Sequence, residues 1–396
     1  MSKVIVFRLL LMVTALSVFS AQASADQGVF TSIHHQYESP RALGMGDAFI
    51  ATASDYSALF YNPAALARRD SSQVNLSMDI GASKDAYNFY KDASDLSSRD
   101  FANDTDRYNA YSDLLHNYYG EDFKVKAGLL EAIWAKSHWS VGIIPADVTI
   151  EYKVINQAAP ALNVRAFGDT TFAVVYGNDI HGLLPGRFSW GVTGKMINRT
   201  YANKQVNALD LAVNSHYLQK SDLSDGYTVD GDIGVMYTPV INPEGWDSFF
   251  RYAKPTFAAV VRNVADYGFK SSFHLINKTN LEDPEPLHRV VDLGVRFDYP
   301  DIWIFSGRGE FDIRDIGHPN ENWRKALHMG LEFDWTISSW WKGHYRVGLN
   351  QGYFTAGVSA LLGVFNLDAV TYGEDVGSYD RPEVNRMFML RLNLDI

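Results

Sequence analysis

The chain has 396 residues, no cysteine and a formal net charge of −11. Without cysteine it has neither a disulfide framework nor a thiolate metal site, and its acidic balance argues against nucleic acid as a partner. Aromatic residues make up 14% and mean hydropathy is close to zero. This leaves an exported soluble domain or a membrane β-barrel, whose lipid-facing and lumen-facing residues alternate and average to a bland hydropathy.

Taken in order, residues 1–25 read as a signal peptide. Lys3 and Arg8 precede an apolar run from Leu9 to Phe19, and Ala23-Ser24-Ala25 offers a cleavage site, so the mature chain is expected to start at Asp26. The run is too short to serve as a retained anchor, and with no cysteine after the cleavage site the protein is not a lipoprotein. Removing Lys3 and Arg8 leaves 33 basic against 46 acidic residues, a net charge of −13. No later run of 18 apolar residues provides a transmembrane helix.

Residues 26–70 form an N-terminal arm and a compact element. The stretch Ser39–Arg69 is rich in Gly and Ala and closes on Tyr61-Asn62-Pro63-Ala64. Asn is a good N-cap and Pro is favoured at the first helical position, so a short helix is expected from Asn62-Pro63 to about Arg68. Gly44 and Gly46 permit backbone angles and close approaches that bulkier residues forbid. Ala48, Ala51, Ala53 and Ala58 would let the element pack tightly inside something else, as a plug.

From residue 71 the chain reads as strands separated by turns. In Arg386–Ile396 the residues Phe388, Leu390, Leu392, Leu394 and Ile396 share one face, and Met389, Arg391, Asn393 and Asp395 the other. Leu287–Tyr299, Asp301–Ile313 and Lys325–Trp335 repeat the pattern, with Leu287 counted on the apolar face of the first. Their opposite faces carry Arg296, Arg308, Glu310, Asp312, Glu332 and Asp334. Apolar-to-lipid and charged-to-wet-lumen explains the alternation. Fourteen segments can be counted, from 73–82 to 385–396, an even number as single-chain bacterial barrels require. Val125–Trp139 fits a helix equally well. Residues 84–122, polar and rich in Tyr and Asp, read as a long loop or insertion.

The run RALGMGDAFIATASDYSALFYNPAAL resembles the N-terminal signature of the FadL-like outer-membrane proteins, the long-chain fatty acid transporters and their relatives. Asp232-x-Gly234-x-x-Tyr237-x-Pro239, Val261-Arg262-Asn263-Val264, Arg346-Val347-Gly348-Leu349-Asn350 and Tyr353-Phe354-Thr355-Ala356-Gly357 resemble strand motifs of the PorV-like branch. The closing strand departs from the pattern by ending in Ile396 where Phe or Trp is usual. The resemblance implies a barrel of about fourteen strands in the outer membrane of a Gram-negative bacterium, its lumen plugged by a small hatch. It implies passive uptake of hydrophobic compounds such as long-chain fatty acids, with Gly44, Gly46, Asn62, Pro63 and Ala64 shaping the gate. Partners would be outer-membrane lipid, the hydrophobic ligand and the assembly machinery. The alternative is a PorV-like barrel that docks secreted or surface-displayed proteins through a secretion system. A barrel enzyme acting on lipid would need a Ser/His/acid cluster that one sequence cannot reveal; no enzyme and no cofactor are expected.

Other features have bland readings. The acidic stretch Asp92–Asp106 lacks the register and glycine of a calcium loop and reads as solvated. His34 and His35 point different ways on extended backbone. The lumenal charges read as cross-strand pairs. Gly191-x-x-Gly194-Lys195 lacks P-loop spacing. Trp335, Trp340, Trp341 and Tyr345 fit an interface girdle better than a ligand groove. The same holds for Trp246, Phe249, Phe250 and Tyr252.

Overall fold

The computed structural model describes residues 30–156, 159–213, 218–241, 253–276, 282–302, 305–338, 340–378 and 381–396. The signal-peptide segment and the cluster at Trp246, Phe249, Phe250 and Tyr252 lie outside them. The first strands are β1 Gln73–Ser83, β2 Asp122–Ala135, β3 Trp139–Ile155, β4 Ala161–Ile180, β5 Gly186–Asn207, β6 Ser224–Pro239 and β7 Thr256–Arg262. They are followed by β8 Val290–Ile302, β9 Phe305–Ile316, β10 Leu327–Ser338, β11 Trp341–Asn350, β12 Tyr353–Leu362, β13 Phe365–Asp375 and β14 Val384–Asp395. Each pairs antiparallel with its neighbours, and β1 pairs with β14 from Asn75↔Asp395 to Ser83↔Met387, so the sheet closes on itself. Closure leaves no open edge, which is what a strand-built wall in lipid requires. The chain is therefore an all-β, fourteen-stranded antiparallel barrel. Val125–Ala135, the bulk of the stretch open to a helical reading, is strand, and 136–138 turns into β3.

Outward positions carry the apolar side chains. On β14, Phe388, Leu390 and Leu392 are exposed while Met389, Arg391 and Asn393 are buried. Leu287 departs from its expected place: it precedes β8 and is buried with Ile197 and Phe269. The turns at 136–138 and 363–364 are short, and both barrel ends, Gln73 and Asp395, lie at that same edge. Short turns characterise the periplasmic edge of bacterial barrels. Around it stand Trp134 against Trp139, Tyr176 against Trp190, and Trp335 against Trp341, ring centroids 4.9, 6.0 and 5.9 Å apart. That is the girdle expected of Trp335, Trp340, Trp341 and Tyr345, with Trp340 stacked on Trp341 at 6.2 Å. Among the described residues no helix is long and apolar enough to cross a membrane, and this says nothing of strands.

The region read as a long loop holds two helices, α3 Lys84–Ser97 and α4 Asp104–Asn117; α1 and α2 lie in the lumenal segment below. Asn103 caps α4, its side chain accepting from the Asp106 N–H at 2.9 Å. Ala86 and Leu115 pack on Phe123, Val154, Leu162 and Val206 as a second core at the long-turn edge, with Phe89 stacked on Phe123 at 4.9 Å. Asp95, Asp100, Asp104 and Asp106 are exposed, as the solvated reading expects.

Candidate functional site

The barrel's inside is occupied by its own N-terminal segment. Residues 30–38 run extended at the long-turn edge. They lead into α1 Pro40–Gly44, α2 Ala58–Tyr61 and a 3₁₀ helix Pro63–Arg68, after which the chain enters β1 at the short-turn edge. The capped helix foreseen at Asn62 is present in the tighter 3₁₀ form. Gly44, Gly46, Asn62, Pro63 and Ala64 are all buried.

Two parts of the segment touch the wall backbone to backbone, and glycines make both contacts possible. In the register of the sheet, Gly177 of β4 faces Gly191 of β5, which faces Gly234 of β6. Asn62-Pro63-Ala64 lies on this row. A Cβ on Gly177 would stand 2.7 Å from the Pro63 carbonyl, one on Gly191 2.6 Å from the Ala64 nitrogen, and one on Gly234 2.8 Å from Pro63 Cδ. On the far wall Gly330 of β10 faces Gly348 of β11. A Cβ on Gly330 would collide with the Met45 carbonyl oxygen, one on Gly348 would stand 2.6 Å from the Met45 carbonyl carbon, and one on Gly357 of β12 would stand 3.2 Å from Gly44 Cα. Gly46 has φ +67°, which favours glycine, and a Cβ there would collide with the carbonyl oxygens of Met329 and Leu349. Its N–H donates to Thr355 Oγ1 at 3.0 Å and its carbonyl accepts from His328 Nδ1 at 2.9 Å. The sequence singled out Gly44 and Gly46. It did not single out Gly177 and Gly330, nor the meaning of Gly191, Gly234, Gly348 and Gly357, because the rows exist only once register is known.

The inward face of the wall mixes apolar and charged side chains. Ile133, Ile144, Ala173, Val175, Met236, Ala258 and Val260, on β2–β7, pack against Phe49, Leu59, Phe60 and the segment's alanines. Charged side chains face inward all round the barrel, from Lys126, Glu151, Arg165 and Lys195 to Arg346 and Arg391, and the expected wet lumen with mutual cross-strand pairing is only partly found. Several of these groups bind the segment instead. Asp312 accepts from the Phe49 and Ile50 N–H groups at 2.7 and 3.1 Å, Glu310 accepts from Ala51 at 2.5 Å, and Arg296 donates to the Ala51 carbonyl at 3.1 Å. Arg314 pairs with Asp47. Glu332 receives Arg41 of the segment at 2.6 and 2.8 Å and Arg346 of the wall at 2.7 Å. Arg41 also reaches Asp55 at 2.6 Å. Arg391 joins Tyr37, Asp79 and Glu131. Arg308–Asp334 remains a cross-strand pair as read from sequence. The segment was filled with backbone donors and the wall with acceptors; neither half is stable in a low-dielectric interior without the other.

One group of three, Glu332, Asp334 and His344, comes within the span of a metal site among the described residues. Glu332 is already held by Arg41 and Arg346, and Arg308 lies 3.5 Å away. Three guanidiniums make this an ion-pair network and a poor cation site.

Asn62 has a double role. Its Oδ1 accepts from Ala64 N–H at 3.0 Å and its Nδ2 donates to the Ile50 carbonyl at 2.9 Å, tying the two ends of the segment together. Asn62→Ala removes the cap and leaves a buried carbonyl unpaired. A loss of about 2–3 kcal/mol is expected, read as a lower unfolding temperature in detergent. Asn62→Asp, which keeps the cap acceptor but sets a buried carboxylate oxygen against the Ile50 carbonyl, should cost at least as much.

His34 and His35 do diverge. The His34 ring stacks on Phe167 at 3.9 Å, and burial lowers its pKa to about 4 against the pull of Asp169. His35 Nε2 lies 2.9 Å from Asp315, with Glu38 at 3.8 Å. Burial acts to lower its pKa, but the Asp315 carboxylate outweighs it and raises it to about 9. A raised pKa stabilises the docked arm fully below the free value of about 6.5, and the stabilisation disappears as pH rises through about 9. Protease sensitivity of residues 30–38 should therefore increase between pH 7 and 9, and His35→Gln should flatten that dependence.

No protein-family model matches the chain, and no curated protein matches it. Solved structures that it resembles include FadL-family channels. The CymD monoaromatic hydrocarbon channel is 8% identical over 90% of this chain and 96% of its own, with a TM-score of 0.44. The Ralstonia pickettii toluene transporter TbuX is 9% identical over 90% and 98%, with a TM-score of 0.40. A Pseudomonas aeruginosa FadL homologue is 9% identical over 92% and 98%, with a TM-score of 0.30. The barrel itself rests on the strand pairing described above.

Proposed function

We propose that this protein is a channel of a Gram-negative outer membrane that takes up hydrophobic compounds passively, and that its N-terminal segment is the gate. One observation carries the reading: residues 30–69 fill a closed barrel along two glycine rows and a set of inward charges, so nothing crosses while they stay docked. A plug held by many polar contacts, with no covalent tie, can be stable and still be displaced, provided incoming contacts replace those lost. Long-chain fatty acids are the substrate class that the resemblance implies; monoaromatic hydrocarbons and toluene are named for the channel and the transporter above. Outer-membrane lipid surrounds the wall, and the assembly machinery reads the closing strand ending in Ile396.

A second reading has its own support. The cavity beside the arm is mixed, with His35, Lys195, Asp232, Arg262 and His318 set among Ile33, Phe60, Leu287 and Val290. Tyr87, Tyr90 and Tyr119 are exposed on the helical insertion at the opposite edge from the girdle. Aromatic surface of that kind suits a barrel that docks a protein partner. Native mass spectrometry of gently extracted protein separates the two. An apolar compound carried by the wild type and lost from Asn62→Ala supports gated uptake, whereas an empty barrel arriving with a bound protein supports docking.

A further inference from the structure

The charges around the cavity between arm and wall are matched before anything enters it. Lys195 holds Asp232 at 2.7 Å, and His35 of the arm holds Asp315 at 2.9 Å. Arg262 of β7 stands 2.7 Å from Asp292, and Glu285 is taken by Arg165 at 2.9 Å.

What is left over is one donor group and one acceptor. Among the described residues, Nη2 of the Arg262 guanidinium is buried with no hydrogen-bond partner, and so is Oδ1 of Asn263. The Asn263 amide is oriented by its other end: Nδ2 donates to the His288 carbonyl at 2.8 Å, which leaves the oxygen free. Consecutive residues of a strand face opposite sides of the sheet. Asn263 follows the last residue of β7 with φ +53°, in the left-handed region, and this turn of the chain lets both side chains line one cavity. A buried polar group without a partner is costly. Two of opposite kind side by side call for a group that serves both. Ile33 and Tyr37 of the arm, Phe60, Leu287 and Val290 supply apolar lining around them.

We propose that the cavity binds an apolar compound bearing a neutral hydroxyl, of the phenol class, its oxygen accepting from Arg262 and its proton donated to Asn263 Oδ1. A hydroxyl both donates and accepts. A hydrocarbon would leave both groups unpaired. A carboxylate would set an acceptor against Asn263 Oδ1 and bring a charge that no free cation balances. The cavity, about 50 Å³, is smaller than the roughly 150 Å³ that takes a benzene ring. A ring therefore enters only as Ile33–Tyr37 shift, and its arrival loosens the arm. As the first station of an uptake path the site rests on the channel reading; the binding itself does not.

The test compares 4-methylphenol, toluene and 4-methylbenzoate, which share a methylated ring and differ in the polar group. Full-length protein in phospholipid nanodiscs is dialysed to equilibrium against each radiolabelled compound, with empty nanodiscs subtracted. The wild type is expected to hold one 4-methylphenol per chain, on the order of tenfold more tightly than the other two. R262K keeps a charge opposite Asp292 and loses the fork of donors; N263G suits the left-handed turn and has no side chain. Each should bring 4-methylphenol down to the level of toluene, with heat-modifiable gel migration unchanged. Protease sensitivity of residues 30–38 in the wild type should rise as 4-methylphenol is added. Equal retention of the three compounds, a preference for 4-methylbenzoate, or a preference that survives both variants overturns the proposal. So does retention of none, which would mean that the cavity holds water only. Binding of 4-methylphenol without its uptake into proteoliposomes would support the site and sink the channel reading instead.

Discussion

Gly348→Leu is expected to expel the lumenal segment while leaving the barrel closed. A Cβ at Gly348 already stands 2.5 Å from the Gly46 nitrogen and 2.6 Å from the Met45 carbonyl carbon. Both are backbone atoms, and Gly46 is itself pinned by Thr355 and His328, so neither side can yield cheaply. Overpacking a tight site costs about 1–3 kcal/mol, and a leucine between two backbones belongs at or above the top of that range. The wall pairs on through β10 and β12 and should keep its heat-modifiable migration, whereas Arg41 should become open to trypsin. Gly194→Leu is the control, because nothing lies within 4 Å of a Cβ there and the change should be nearly neutral. Trypsin resistance at Arg41 in Gly348→Leu equal to wild type would count against the docking described here.

Glu332→Gln should produce the second large effect. Glu332 is fully buried and is the only described carboxylate that ties Arg41 of the segment to Arg346 of the wall. Breaking a buried network by removing one partner costs about 3–5 kcal/mol, and the lower end applies here because Arg41 keeps Asp55 and Arg346 has Asp368 at 3.5 Å. The midpoint of the heat-modifiable transition should fall by on the order of 10 °C. Adding Arg41→Met to Glu332→Gln should recover part of that loss, since the orphaned charge goes with its partner. A strictly additive double variant would mean that the two side chains do not act as one unit.

The wall was legible because strands that alternate lipid and lumen write a period of two into the chain. Phe388, Leu390 and Leu392 against Arg391 and Asn393 need no register to be read. The short helix after Asn62 was legible because Asn62-Pro63 is a local start signal. What lay beyond reach was everything that depends on which strand faces which. Gly177, Gly191 and Gly234 are separate strand glycines in the sequence and a single row in the sheet. Asp312 and Glu310 looked like charges for water or for each other, yet they accept the N–H groups of residues 49–51, some 260 positions earlier. The helices of the insertion were hidden for another reason: α3 is polar on average and buries only Ala86 and Leu96, so its composition reads as loop even though its apolar residues keep a helical period.

The central claim, that passage requires the segment to leave its seat, can be tested with one engineered disulfide. The chain has no cysteine of its own, and a Cβ on Gly44 would stand 3.3 Å from Gly357 Cα, so Gly44→Cys with Gly357→Cys would join segment to wall. Uptake of labelled oleate and labelled toluene into proteoliposomes would be measured with the pair oxidised and then reduced. The account predicts uptake of at least one compound when reduced and none when oxidised. Equal uptake in both states would contradict it.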